Sequence, residues 1–318
     1  MKLVKENSSN CKIQKPFLKW VGGKTSILHH ILSKIPKEMK NYHEMFVGGG
    51  SVLLGVLSLQ KQGDIKIYGK IYAYDINNDL IDVYKNIQYN KEELYKYIVF
   101  YRTEYDSIQG DTICRNPENL TQAKTSKESY YYWIRNQYNT MKKKYDAMKN
   151  IDFKKKVEYC ALFIFLNKTC FRGMYREGPH GFNVPYGHYK KTPTILSKTE
   201  LDCISELLQN VEFQQGDFRN TMENIQPGDF AYFDPPYVPE NTKSFVGYVV
   251  DGFNLETHQE LFRKIKKLVN VQFILSNAKV KFVMDHFNEY HHEEIIVRRS
   301  IHSKKPNTKT SEVIIYNK

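Results

Sequence analysis

The sequence predicts an α/β fold in which a parallel sheet with helices on its faces is interrupted by a mostly helical insertion. Strand and helix patterns alternate over residues 15–87 and again over residues 196–318, which is the order that builds a parallel sheet. Between them, residues 88–195 are rich in tyrosine and lysine and lose this alternation. We therefore expect one domain formed by 15–87 and 196–318, an inserted unit over 88–195, and a flexible N-terminal arm over 1–14.

The elements expected in the first part are helices over 24–33, 51–59 and 79–87, a short strand ending at Phe46 and a strand over 70–74. In the middle part, we expect helices over 91–105, 129–149 and 153–167, a polar linker over 110–127, and no regular helix over 169–193, where Gly, Pro and aromatic residues are dense. In the last part, we expect a helix over 198–209 and strands over 211–214, 229–233, 271–275, 294–299 and 312–316.

The composition narrows the class of protein. Of the 318 residues, 41% are hydrophobic and 26% are charged, which is typical of a globular chain with a sizeable core. No apolar run reaches the roughly 18 residues that span a bilayer, and the N-terminus lacks an apolar signal core, so we expect a cytoplasmic protein without membrane contact. The five cysteines are scattered and lack metal-ligand spacing, which predicts free thiols and no metal. A net charge of +12 favours a polyanionic partner.

A glycine-rich turn follows the first predicted strand. The segment Phe46-Val47-Gly48-Gly49-Gly50-Ser51 lies between a strand and a helix, where glycines let the backbone approach a ligand and the helix N-terminus favours polar groups. Leu53 stands where the dinucleotide fingerprint needs its last glycine, so a pyrophosphate is not required. Asp75 ends the next strand, where a carboxylate can accept hydrogen bonds from ribose hydroxyls. This pair predicts a nucleoside-containing cofactor, with a tight turn and a helix-capping Asp as the alternative.

A second glycine turn, Trp20-Val21-Gly22-Gly23-Lys24-Thr25, has part of a phosphate loop. It lacks the loop's first glycine, since Leu18 occupies that position. We interpret the turn instead as presenting Trp20 and Lys24 to the cofactor pocket, while a purely structural role for Trp20 in the core remains the alternative.

The sharpest motif is Asp234-Pro235-Pro236-Tyr237, which directly follows an apolar strand. Two prolines end the strand and stiffen the loop at its carboxyl end, where open α/β sheets bind their ligands. A carboxylate and an aromatic ring are thereby held in a fixed relation. An isolated tetrapeptide of this kind is equally a turn, but its place after a buried strand and a glycine-rich loop predicts a catalytic site.

Taken together, these motifs closely resemble the Dam-type (D12 class, alpha group) DNA adenine-N6 methyltransferases. The resemblance covers about residues 16–317 and rests on FLKWVGGK at 17–24, FVGGGSV at 46–52, YDIN at 74–77, FNVPYG at 182–187, DPPY at 234–237, LSN at 275–277 and VRRSI at 297–301. It implies a Rossmann-like S-adenosylmethionine-dependent methyltransferase sheet with an inserted target-recognition domain over 88–195. The implied reaction is methyl transfer to N6 of a flipped-out adenine in a short duplex site.

The resemblance also implies roles for individual residues. The cofactor pocket would be lined by Trp20, Lys24, Phe46, Gly48, Gly50, Asp75 and Asp234. In catalysis, the Asp234 carboxylate and the Pro235 carbonyl would accept hydrogen bonds from the adenine amino group, and Tyr237 would stack on the flipped base. The expected DNA contacts are Lys19, Arg172, Met174, Arg176, Asn183, Pro185 and Tyr189, together with the basic residues Arg298, Arg299, Lys304 and Lys305.

The DNA sequence that would be recognised depends on two arginines, Arg176 and Arg172. Arg176 matches an arginine that contacts a base, and a bidentate contact to guanine is the favoured chemistry for this side chain. This match favours GATC, but Arg172 replaces an asparagine that is common in the GATC-specific members. Arg172 can therefore contact either a base or a phosphate. The basic run near residue 300 is either a phosphate-binding arm or a solvated loop.

Several alternatives stay open from the sequence. N4-cytosine methylation is disfavoured because its enzymes usually carry Ser at the position of Asp234, while an RNA adenine methyltransferase and a non-catalytic DNA-binding remnant of a modification system remain. We expect double-stranded DNA as partner and a restriction-modification or genome-marking role, with a cognate restriction endonuclease acting on the same site. The expected oligomeric state is a monomer or a weak dimer.

Overall fold

A seven-stranded sheet forms the centre of the computed structural model, which describes residues 13–148, 151–239, 253–298 and 309–317. The strands are β1 (Glu38–Met39), β2 (Tyr42–Glu44), β3 (Lys66–Ile67), β4 (Ile71–Asp75), β5 (Glu177–Gly178), β6 (Gly181–Phe182), β7 (Val211–Gln215), β8 (Phe230–Phe233), β9 (Gln272–Ala278), β10 (His291–Arg298) and β11 (Lys309–Tyr316). The central sheet has the order β10-β11-β9-β8-β2-β4-β7, while β1 with β3 and β5 with β6 form separate pairs.

Most of the central sheet is parallel, as the sequence predicts. Strands β7, β4, β2, β8 and β9 pair in parallel with their neighbours, and β11 lies antiparallel between β9 and β10. All four residues of β8 are buried because apolar clusters cover both faces of the sheet. Phe230 and Tyr232 belong to one cluster, and Ala231 and Phe233 belong to the other, as the alternation of side chains along a strand requires.

The helices are α1 (Leu28–Leu32), α2 (Ser51–Gln62), α3 (Asn78–Tyr89), α4 (Lys91–Ser107), α5 (Leu120–Ala123), α6 (Lys127–Asp146), α7 (Val157–Thr169), α8 (Lys198–Leu208), α9 (Phe218–Thr221), α10 (Leu255–Lys266) and α11 (Lys281–His286). Short polar side chains begin several of them, since Asn77, Ser126, Ser197 and Asn254 each accept a hydrogen bond from a backbone N–H in the first turn. Within the described ranges, no helix has both the length and the apolar character needed to cross a membrane.

The helices of the middle part share the core of the sheet. Eleven of the thirteen residues of α7 are buried, because it packs against α3, α4 and α6. Tyr105 of α4, Tyr130 of α6 and Phe165 of α7 contact one another through their rings, and they lie in the same cluster as Phe230 of the sheet. The many tyrosines of residues 88–195 therefore serve largely as core residues.

Several boundaries differ from the predictions. The strand expected to end at Phe46 ends at Glu44, because the backbone beyond it turns and bonds to two different neighbours: Met45 N donates to Tyr232 O and Val47 N to Tyr74 O. The expected linker 110–127 contains α5, and the expected helix 24–33 begins as a 3₁₀ turn over Lys24–Ser26. The sequence analysis named no helix at α10 or α11.

Candidate active site

The carboxyl ends of β2, β4 and β8 meet at one edge of the sheet and bring the glycine loop, Asp75 and Asp234 together. At this edge Gly48 N donates to Asp75 Oδ2 over 3.0 Å, and Asn77 N donates to Oδ1 over 2.9 Å. Burial raises the pKa of Asp75, and these two N–H groups and that of Ile76 partly offset the rise. Asp75 is thus held in place with its carboxylate partly exposed, so that it can still accept hydrogen bonds from ligand hydroxyls.

Two glycines of this loop adopt conformations that leave no room for a side chain. Gly50 has φ +73°, and a Cβ atom there would lie 2.6 Å from the Tyr84 hydroxyl. Gly48 has φ +48°, and its Cβ atom would lie 2.9 Å from Cδ1 of Trp20. The loop is further tied to α3, because the Tyr84 hydroxyl donates to the Gly48 carbonyl over 2.9 Å. The indole of Trp20 and the bare backbone of the loop therefore approach each other closely.

Trp20 packs against aromatic neighbours and also borders the glycine loop. Its ring stacks on Tyr175, with centroids 5.6 Å apart, and on Phe163, at 6.2 Å, which makes it a packing residue. The same ring borders the Gly48 backbone. The Tyr175 hydroxyl in turn donates to Glu177 Oε1 over 2.6 Å and also lies 3.2 Å from Asp79 Oδ2, so the indole is backed by a hydrogen-bonded neighbour.

Asp234 forms a buried ion pair with Lys24. The Lys24 ammonium lies 2.8 Å from Asp234 Oδ1, and the two side chains are only 5% and 17% exposed. Oδ1 receives no hydrogen bond of good geometry from any described residue, so the contact with Lys24 is ionic. Burial raises the pKa of Asp234 to about 6, while the charge of Lys24 lowers it and that of Glu312 raises it. The carboxylate is therefore charged near neutral pH and retains acceptor capacity.

A second buried carboxyl, Glu44, lies close to this pair. It ends β2 and accepts a hydrogen bond of 2.5 Å from the Tyr42 hydroxyl. Burial raises the pKa of Glu44 to about 8, the bonds from Tyr42 and from the Leu53 N–H lower it, and the charge of Asp234 raises it. Glu44 is therefore mostly neutral at pH 7, and Asp234 is the ionised member of the two. Environments that separate two pKa values in this way define distinct roles for neighbouring carboxyl groups.

The loop that carries Asp234 is anchored from three further elements. His258 of α10 places Nε2 2.8 Å from the Pro236 carbonyl oxygen, and Asn277 of β9 accepts from Val238 N over 3.1 Å. The Tyr237 hydroxyl donates to Glu312 Oε2 of β11 over 3.0 Å. The Lys24 ammonium also lies 4.8 Å from the centroid of the Tyr237 ring. The loop is thus rigid in its backbone and in both functional side chains.

An aromatic wall borders the same edge. The ring of Phe46 lies 6.1 Å from Phe218, which follows β7, and 6.0 Å from Phe253. Phe218 follows β7, which pairs with β4, so this aromatic group and Asp75 belong to the same edge of the sheet. Such a combination suits a ligand with a purine ring and a ribose.

The predicted DNA contacts form a group around residues 167–189. Lys19 donates from Nζ to the Tyr189 hydroxyl over 3.1 Å, and Asn167 bonds both backbone groups of Lys19. Arg176 and Asn183 face each other across the β5–β6 hairpin: Arg176 Nε donates to Asn183 Oδ1 over 2.6 Å, and both side chains are exposed. The structure therefore brings these four predicted positions together in two pairs.

Three other predicted positions, Met174, Arg172 and Pro185, lie in the same part of the chain. Pro185 is exposed, and its carbonyl accepts from Phe171 N over 2.8 Å. Met174 is half-buried and packs against the main core. Arg172 is exposed with φ +56°, and its guanidinium lies 5.2 Å from the Phe171 ring centroid. A positive φ is unusual for a residue with a side chain, so this turn projects its side chains in a direction that an ordinary turn does not.

Residues 20–301 match the family described as D12 class N6 adenine-specific DNA methyltransferase. The chain belongs to this family. It is 35% identical to the type II methyltransferase M.MjaIII of Methanocaldococcus jannaschii over 95% of this chain and 99% of the relative. It is 30% identical to the type II methyltransferase M1.LlaDCHI of Lactococcus lactis subsp. cremoris, over 100% and 99%, and 28% identical to the DNA adenine methylase of Escherichia coli, over 92% and 91%.

Membership confirms the resemblance that the motifs indicate, and with it the adenine-specific DNA methyltransferase activity. The family description thereby supports adenine in DNA as the substrate, over cytosine N4 and over RNA. The family also implies S-adenosylmethionine as the methyl donor of this methyltransferase. The described part of the chain contains no group of three or more His, Cys, Asp or Glu residues placed to hold a metal ion.

Sequence reasoning missed four residues of this methyltransferase site: Glu44, His258, Glu312 and Phe218. The last three of these left a weak signal. Glu312 precedes an apolar run in its strand, His258 lies on the apolar stripe of an amphipathic helix, and Phe218 closely follows the end of β7. Other predicted residues lie outside what the structure describes: Arg299, Lys304, Lys305, the side chain of Arg298, and residues 1–12 of the expected arm.

Proposed function

We propose that Asp234 is the group that prepares the adenine amino group for methylation in this N6 adenine-specific DNA methyltransferase. The observation that carries the proposal is the largely buried Asp234 carboxylate, whose Oδ1 lies 2.8 Å from the Lys24 ammonium and whose charge is maintained by this ion pair. The lone pair of N6 is delocalised into the adenine ring, which makes it a poor nucleophile. Hydrogen bonds from the amino group to Asp234 and to the Pro235 carbonyl would localise this lone pair.

The same contacts act mainly in the transition state. Positive charge develops on N6 as the new N–C bond forms, and a nearby carboxylate stabilises that charge more than it stabilises the neutral amino group. Burial makes Asp234 a better acceptor than an ordinary aspartate, because its pKa is raised to about 6. Lys24 keeps the group ionised in spite of this burial, and the neutral Glu44 adds no competing charge.

The residues at the sheet edge fit S-adenosylmethionine. Gly48 and Gly50 let the loop pack tightly against Trp20 and Tyr84, and this loop leads into the N-terminus of α2 beside Asp75, where a ligand would approach the backbone. Asp75 would accept hydrogen bonds from the ribose hydroxyls, and the flat faces of Trp20 and Phe46 would border the ligand. When bound, the cofactor supplies an electrophilic methyl carbon on a sulfonium.

Tyr237 would hold the target base. The amino group of adenine cannot be reached inside a duplex, so the base has to leave the helix before reaction. The Tyr237 ring lies on the same rigid loop as Asp234 and is held by Lys24 and Glu312. An adenine stacked on this ring would present its amino group to the neighbouring carboxylate, which fixes the reacting atoms in a productive orientation.

We further propose that residues 88–195 form the target-recognition insertion, in which the hairpin with Arg176 and Asn183 contacts the bases. Asn183 pre-orients the planar fork of Arg176, which suits a bidentate contact to guanine. Lys19, Tyr189, Met174 and Pro185 would contact DNA on the same surface, and the basic residues between 298 and 305 would contact phosphates. Arg176 favours GATC as the target site. Arg172 is the residue to which we would attribute recognition of a different sequence.

The biological role is also a proposal. Two relatives carry the name type II methyltransferase, which supports a restriction-modification role with a cognate endonuclease at the same site. We propose that the enzyme acts in the cytoplasm, where its DNA substrate lies, as a monomer or weak dimer that methylates each strand in turn.

The test replaces Asp234 by Ala and measures transfer of labelled methyl groups to plasmid DNA from a methylation-deficient host. We expect methylation to be abolished while duplex binding persists, and Asp285→Ala, at an exposed carboxylate, to behave like the wild type. Near-normal turnover of Asp234→Ala would end the proposal. Single-molecule sequencing of the wild-type product identifies the site, and a motif other than GATC would make Arg172 the first position to exchange.

A further inference from the structure

Glu312 reaches the catalytic loop from a strand that belongs to neither the cofactor loop nor the Asp-Pro-Pro-Tyr segment. It lies on β11 opposite Ala278 of β9, and β9 lies beside β8, which leads into Asp234. Side chains alternate along a strand, so Glu312 shares its face with Ile314, while Val313 and Ile315 pack into the cluster on the opposite face. An acidic side chain thus stands at the edge of an apolar strand, directed at the site.

Its contact is with the ring expected to hold the base. The Tyr237 hydroxyl donates to Glu312 Oε2 over 3.0 Å, and Glu312 is half-buried. The Lys24 ammonium covers one face of the same ring, 4.8 Å from its centroid. The ring is therefore fixed at its hydroxyl by Glu312 and on one face by Lys24, so a stacked base would have to take the opposite face.

The backbone of the loop does not depend on Glu312. Asn277 holds Val238, and His258 holds the Pro236 carbonyl. Loss of the Glu312 carboxylate would therefore release the Tyr237 side chain and leave the loop in place. We propose that Glu312 is a positioning residue that fixes the Tyr237 ring for stacking on the flipped adenine. The inference rests on the proposed function, because it takes Tyr237 as the residue that stacks on the base.

The charge of Glu312 has a second effect, which the test can use. It raises the pKa of Asp234, against the lowering by Lys24, and it also acts on Tyr232 and Tyr237. Glu312→Gln keeps an acceptor for the Tyr237 hydroxyl but removes this charge. The pKa of Asp234 should then fall, and the acidic limb of kcat/KM should move to lower pH while kcat is largely kept. The shift of the limb reports the field of Glu312 at Asp234, and the retained kcat reports that an acceptor for the Tyr237 hydroxyl is enough to position the ring.

The decisive experiment is a double-mutant cycle with Glu312→Ala and Tyr237→Phe. A hydrogen bond to a charged acceptor accounts for a loss of about tenfold to a hundredfold, so each single variant should lower kcat by that factor and leave the affinity for S-adenosylmethionine unchanged. The double variant should lose no more than either single variant, because both remove the same bond. Glu294→Ala, on the neighbouring strand and paired with Lys279, is the matched control and should keep wild-type kcat.

A direct readout of the base uses a duplex with 2-aminopurine at the target position. Its fluorescence in the complex should change for Glu312→Ala in the same direction as for Tyr237→Ala. Losses of kcat that multiply in the double variant, or an unchanged fluorescence signal with Glu312→Ala, would overturn the role of Glu312. These outcomes are separate from failure of the proposed function, which would show as turnover by Asp234→Ala or as no fluorescence change with Tyr237→Ala.

Discussion

The charged Asp234 carboxylate should lower the free energy of unfolding at neutral pH, and Asp234→Asn tests this prediction. Burial raises the pKa of Asp234 from 3.8 to about 6, in a side chain that is 17% exposed. The folded state then holds the proton more tightly than the unfolded state does. The stability that this proton contributes is fully present below about pH 3.8 and is lost as the pH rises through about 6. The difference of about 2 pH units corresponds to about 3 kcal/mol.

The assay is urea unfolding of the wild type and of Asp234→Asn between about pH 4 and pH 7.5. The other titrating groups are common to both proteins, and Glu44, whose pKa of about 8 the charge of Asp234 raises, titrates mainly above this range. The difference in unfolding free energy therefore reports mainly on Asp234. We expect this difference to shift in favour of the variant by about 3 kcal/mol as the pH rises, while the variant stays inactive. The same substitution at the exposed Asp285 is the matched control.

Activity should show the opposite pH dependence. The ionised carboxylate is the form that accepts hydrogen bonds from the amino group, so kcat/KM of the wild type should rise with pH through an apparent pKa near 6. A stability difference that does not change between pH 4 and pH 7.5, or that shifts toward the wild type, would refute the argument from burial.

Two further predictions concern the cofactor loop and the DNA-contacting hairpin. Gly50 and Gly63 both have positive φ, but only at Gly50 would a Cβ atom meet a neighbour, the Tyr84 hydroxyl. Gly63→Ala should therefore lower the free energy of unfolding by about 1–2 kcal/mol, because of backbone strain alone. Gly50→Ala should lower it further and should also weaken cofactor binding, as measured by urea unfolding and by calorimetry. Equal losses of stability in the two variants would contradict the clash with Tyr84. Arg176→Ala should weaken binding to the cognate duplex by about 1–3 kcal/mol and relax discrimination at one base pair, measured by competition with single-substituted duplexes; uniform weakening across all of them would instead indicate a phosphate contact.

The sheet edge and the shape of its loops can be read from the amino-acid sequence. Glycines at 48–50 and prolines at 235 and 236 set local conformation through their own covalent structure, and the order of strands and helices predicts which strand ends share an edge. The glycine loop, Asp75 and Asp234 do meet there. Helix α10 was missed although its pattern is amphipathic.

The charge states and contacts of the groups at that edge depend on the packed fold. The ion pair of Lys24 with Asp234 and the bond from Tyr237 to Glu312 join residues far apart in the chain, and no spacing along the sequence predicts such a distance. The separation of the Glu44 and Asp234 pKa values likewise follows from burial and from the fields of surrounding charges. Desolvation and Coulomb energy depend on the position of a group in space and on its access to water, which the chain acquires only when the whole sheet and its helices have packed.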